Sequence, residues 1–81
     1  MVIDPDGPVP VYRQLYLLLR EQITSGAIPA GRPIPSKRTL TQEHGVAANT
    51  VQHAIELLQE DGLLETVQGK GLYVRDRNDW G

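Results

Sequence analysis

The sequence predicts a mainly α-helical domain of three helices closed by a small β-hairpin. Three observations carry that expectation. Apolar residues recur at helical spacing in two long stretches, a third short stretch is bracketed by Ser36 and Gly45, and a β-rich segment near the end is split by the glycines of GKG at 69–71. With 81 residues, 40% of them hydrophobic, the chain suits one core and leaves no room for a second of useful size.

Residues 1–8 hold two aspartates, two prolines and a glycine, so a flexible lead-in is expected there, with the folded domain running over 9–75. From Pro10 to Ser25 the residues Tyr12, Leu15, Tyr16, Leu19 and Ile23 form one apolar stripe, with Val11 and Leu18 at its margin. Leu17 falls on the other side, among Arg13, Gln14, Arg20 and Glu21. It reads either as a contact for a second subunit or as an isolated surface leucine, since folded proteins expose many apolar atoms.

Gly26 stops the first helix, and three prolines with Gly31 make AIPAGRPIP a connector that Ile28 and Ile34 can anchor. Ser36 then caps a short helix over SKRTLTQEH, which Gly45 ends. The third helix is expected from about Ala48 to Glu60, with Val51, Ala54, Ile55 and Leu58 turned inward. Asp61 and Gly62 close it. In LLETVQGKGLYV two short strands surround the glycine-rich turn, and 76–81 form a flexible tail without periodicity. This order is a helix-turn-helix followed by a wing.

The formal net charge is -2, so any attraction to a polyanion must be local. Cysteine is absent, which excludes disulfides and thiolate metal sites. His44 and His53 lack a Cys or a paired acidic ligand at metal spacing, and no nucleophile has a recognisable setting. Neither an enzyme nor a cofactor is expected. The longest aliphatic run is Leu17 to Leu19, which is no membrane span.

Across residues 8–75 the chain resembles the N-terminal DNA-binding domain of the GntR family of bacterial transcription regulators. The likeness lies in PVYRQLYLLLREQITSG, the connector with Gly31 and Pro35-Ser36, Arg38 and Leu40, Gly45-Val46, Thr50-Val51, Gly62-Leu63 and the wing GKGLYV. Each motif is short, but their shared order and spacing is specific. The resemblance implies a cytoplasmic protein that binds a double-stranded operator as a homodimer, with the third helix in the major groove and the wing at the minor groove. Seven residues follow Val74, so the chain reads either as a minimal member without an effector domain or as the DNA-binding part of a longer protein, with no small-molecule effector site of its own.

Departures from the family pattern shape the expected site. Ala47 and Ala48 stand where Ser or Thr followed by Arg is common, Gln52 and Glu56 replace arginines, and Lys37 replaces an acid. Helical geometry turns Asn49, Gln52, His53, Glu56 and Glu60 outward, the first three on the half of the helix that meets base edges. Asn49 and Gln52 amides suit adenine, which shifts preference toward A·T pairs. Glu56 either accepts from a cytosine amine or repels misplaced phosphates, and His53 adds a donor whose charged form favours phosphate. Ser36, Lys37 and Arg38 gather a hydroxyl, free amides and two cations at one helix end as a phosphate clamp, and Thr50 adds a neutral contact. Gly69 lets the wing turn sharply while Lys70 brings charge to its tip.

Each of these residues also has a bland reading as a solvated surface. A winged-helix module that binds protein instead of DNA is the competing function, in keeping with the acidic total charge. Loss of a cap at Ala47 forfeits about 1 kcal/mol. Asn49-x-x-Gln52 has capping-box spacing, but packing of Val46 and Val51 favours a helix from Ala48 with Asn49 free.

Overall fold

The computed structural model describes residues 6–75, which carry three helices and a two-stranded hairpin in the order α1 (Val11–Thr24), α2 (Lys37–His44), α3 (Ala48–Glu60), β1 (Leu64–Val67) and β2 (Gly71–Val74). The tail expected at 76–81 and most of the lead-in lie outside the described residues. Pro10 opens α1, where its missing N–H costs nothing, and its carbonyl accepts from the amides of Arg13 and Gln14, both at 3.0 Å. The buried face of α1 comprises Gln14, Leu15, Leu18, Leu19 and Ile23.

That face is rotated from the expected stripe. Leu18 is buried in the core instead of marginal, whereas Tyr12 and Tyr16 are half-buried at the edge. Gln14, expected among the outward residues, is buried because its Nε2 donates to the Val9 carbonyl at 2.6 Å, which satisfies the amide and fastens the incoming chain to α1. At the other end the Ile28 amide reaches back to the Gln22 carbonyl at 2.9 Å and reverses the chain.

Both flanking helices pack on α3. Its inward residues are Val51, Ala54, Ile55 and Leu58, as the spacing predicts. Together with Leu15, Leu19, Ile23, Leu40 and Val74 they make an aliphatic centre. Each buried Val, Leu or Ile side chain contributes roughly 1.5–3 kcal/mol of transfer free energy. Gly45, at φ 61, supplies the left-handed turn between α2 and α3 that a side chain would strain.

The hairpin is antiparallel, with Leu64 opposite Val74 and Val67 opposite Gly71. Leu64 and Val74 face the core, and Glu65 and Thr66 face solvent. A feature absent from the sequence reading is a third strand-like edge. Pro33 bridges Tyr73, the Val74 amide donates to Arg32 at 2.9 Å, and the amides of Gly31 and Ile34 donate to Val74 and Leu72 at 2.9 and 3.2 Å. The connector is thereby stitched to β2, which stabilises a hairpin that would be marginal alone.

Candidate nucleic-acid interface

Ser36 has extended backbone geometry and its Oγ accepts from the Thr39 amide at 3.1 Å, the expected cap. The same Oγ lies 2.9 Å from Thr39 Oγ1, so this hydroxyl is already engaged within the chain. The Thr39 amide is thus satisfied, and the first-turn amides of Lys37 and Arg38 remain for an outside acceptor. Lys37 and Arg38 beside them are exposed. An anion placed there meets dipole and charge of one sign.

In α3 the helix starts at Ala48 without a side-chain cap. Asn49 is exposed and does not form the capping box, so its amide is free for another partner. Thr50 and Gln52 are half-buried. Gln52 Nε2 donates to Glu56 Oε1 at 3.2 Å, one helical turn on. His53 is exposed on one side, but its ring stacks on Tyr12 of α1, with centroids 3.9 Å apart and planes 12° from parallel. The stack ties the start of α1 to α3 and leaves only the edge of the imidazole for an outside acceptor.

The wing tip is a β-turn in which the Lys70 amide donates to the Val67 carbonyl at 3.0 Å, with Gly69 at φ 78. Lys70 follows it and is exposed. Between wing, α3 and the start of α2 lies an open cleft of about 460 Å³. Ser36, Lys37, Gln52 and Lys70 line its polar rim, while Ile34, Ile55 and Leu72 form its floor. No carboxylate lines it.

Four of the nine expected site residues thus share one cleft, and Arg38, Asn49, Thr50, His53 and Gly69 lie outside its lining. Two further polar side chains of the cleft, Gln59 and Thr66, were missed; Gln59 Nε2 donates to Thr66 Oγ1 at 3.5 Å and bridges α3 to β1. Gln59 is seven residues beyond Gln52 and so on the same helix face, a signal the spacing did contain. Tyr12 as a stacking partner had no such signal, because its contact depends on how α1 crosses α3.

A second cleft, of about 430 Å³, is lined by Tyr16, Arg20 and Asp61 among others. The Tyr16 hydroxyl donates to Asp61 Oδ2. That hydrogen bond, helped by burial, raises the Tyr16 pKa above its ordinary value. Among the described residues no group of His, Cys, Asp and Glu could hold a metal, and no helix is long and apolar enough to cross a membrane.

Residues 11–74 match the family model described as bacterial regulatory proteins, gntR family. The chain belongs to the GntR family. Among GntR relatives, it is 40% identical over 70 residues to the mannosyl-D-glycerate transport/metabolism system repressor MngR of Escherichia coli (strain K12), an alignment covering 86% of this chain and 29% of MngR. It spans 15 to 31% of four further curated relatives. In structure it matches the AraR DNA-binding domain in complex with operator ORR3, with TM-score 0.76 and 35% identity, over 85% of this chain and 90% of that one. The GntR-family transcription factor YtrA of Sulfolobus acidocaldarius gives TM-score 0.83 and 31% identity, over 93% of this chain and 79% of that one. The GntR fold of the chain is therefore a winged helix-turn-helix.

Proposed function

We propose that residues 9–75 are the operator-binding domain of a GntR transcription regulator acting in the cytoplasm as a homodimer on double-stranded DNA. The observation that carries this reading is the cleft in which the α2 N-terminus, the outer face of α3 and the wing meet, bordered by Lys37 and Lys70 and by no carboxylate. The AraR domain, solved with operator DNA, lends support through its similar fold. On this reading α3 enters the major groove with Asn49 and Gln52 toward the bases and Thr50 toward a phosphate, and the Gly69-Lys70 tip lies at the minor groove.

Work is divided between elements. Ser36 holds the α2 end in shape, while Lys37, Arg38 and its free amides take a phosphate. His53, held by Tyr12, offers a ring nitrogen to the backbone and not to a base edge. Neither cleft is assigned to an effector, and the wing cleft belongs to the DNA.

The test is anisotropy of a labelled random duplex at low salt, for the wild type and for Arg38→Ala. The wild type is expected to bind. Arg38→Ala should weaken a selected operator and the random duplex by a similar factor, because a phosphate contact carries no sequence information. Absence of any salt-dependent binding by the wild type overturns the proposal.

A further inference from the structure

We infer that Glu56 is a specificity residue, acting with Gln52 as one composite reading group that accepts amino-bearing base edges and rejects those that present only acceptors. The inference rests on the proposed DNA binding and adds to it the class of base read. Its basis is the hydrogen bond from Gln52 Nε2 to Glu56 Oε1 at 3.2 Å on the outward face of α3. Both side chains stand one turn apart, and Gln52 also lines the wing cleft.

A free glutamine amide is ambivalent, because rotation by half a turn exchanges its donor and acceptor. In this structure Glu56 removes the ambivalence. A carboxylate can only accept, so the Gln52 NH2 turns toward it and the carbonyl Oε1 turns away. What the pair then presents is one remaining amide hydrogen, the Gln52 carbonyl oxygen and a carboxylate. It is rich in acceptors and carries a negative charge.

No ion pair among the described residues offsets that charge. Helix α3 contains no Lys or Arg. Glu56 is exposed and makes no ion pair among the described residues. On the outward face its neighbours are Gln52, His53, Gln59 and Glu60, and His53 is committed to Tyr12.

The major groove sorts bases by the same property. Adenine and cytosine show an exocyclic amino donor there, guanine shows two acceptors and thymine an acceptor with a methyl group. An acceptor-rich, negatively charged pair gains hydrogen bonds from the first two and sets acceptor against acceptor at the others. Its carboxylate costs some attraction to phosphates in general, so its benefit is exclusion of wrong sites, the repulsive half of specificity.

The experiment selects bound sequences from a random duplex pool with the wild type, Glu56→Gln, Glu56→Ala and Gln52→Ala, then measures dissociation constants on the selected duplex and on versions changed at one base pair. Because the wild-type pair is acceptor-rich, adenine or cytosine is expected on one strand at adjacent positions, and replacement by guanine or thymine should weaken wild-type binding about tenfold. Glu56→Gln, isosteric and exposed, should cut that discrimination to within about threefold and tighten binding to random duplex. Gln52→Ala should relax the adjacent position, and the two effects should not add, since each residue orients the other.

Wild-type binding with a base preference that Glu56→Gln and Glu56→Ala leave unchanged overturns the inference while leaving DNA binding intact. Selection of guanine under the pair overturns it equally. A wild type that retains no duplex at low salt removes the functional reading as well, so the two failures are told apart.

Discussion

Single side chains account for the points at which this domain departs from a simple pattern of apolar and polar faces. Gln14 is buried because Val9 offers it a carbonyl, and Tyr16 keeps its ring at the core edge while its hydroxyl donates to Asp61. Removing that hydroxyl in Tyr16→Phe should cost about 1 kcal/mol at neutral pH, measured by urea denaturation. Since the Tyr16 pKa in the folded chain is raised above its ordinary value of 10.0, its contribution is fully present below that value. It is lost as pH rises through the higher folded value, so the gap between wild type and variant should close in strong alkali. None of this was legible from spacing. A polar residue on a helix looks outward until a partner for its hydrogen bonds is known, and the partners of Gln14 and Tyr16 lie in other segments. His53 shows the same limit in the site, where its outward position was readable and its stack on Tyr12 was not.

At the level of elements the sequence was far more transparent. The inward set of α3, the Ser36 cap and the Gly45 turn all follow from local chemistry, and the structure has them at the expected positions. The pairing of the connector with β2 was hidden by Pro33 and Pro35, which argue against a strand because proline donates no ladder bond. Here the donors come from Gly31, Ile34 and Val74 instead, with Pro33 between the first two and Pro35 just beyond them. The uncapped start of α3 gives a prediction at this scale. Ala47 already has the extended geometry of a cap residue, with φ -70 and ψ 153, but no oxygen to use. Ala47→Ser should therefore stabilise the domain by about 0.5–1 kcal/mol, read as a rise in the denaturation midpoint with unchanged slope.

Across the whole molecule a net charge of -2 coexists with a cleft bordered by two lysines. Binding to DNA then depends on arrangement and not on total charge. On the proposed reading, with Lys37, Arg38 and Lys70 as the main cations of each subunit, roughly three phosphates would be neutralised per subunit, and a homodimer should show a slope of log K against log salt on the order of -5. A titration from low to physiological salt checks this, and a slope near zero would contradict the phosphate clamp. The stitching of β2 to the connector has a mechanical meaning for such a complex. A pull on Lys70 travels down β1 into the end of α3, and down β2 across the bonds to Gly31, Arg32 and Ile34 into the approach to α2. Load from the tip is divided between the two helices that the cleft separates, so the wing acts as a strut that braces the reading surface and not as a free arm.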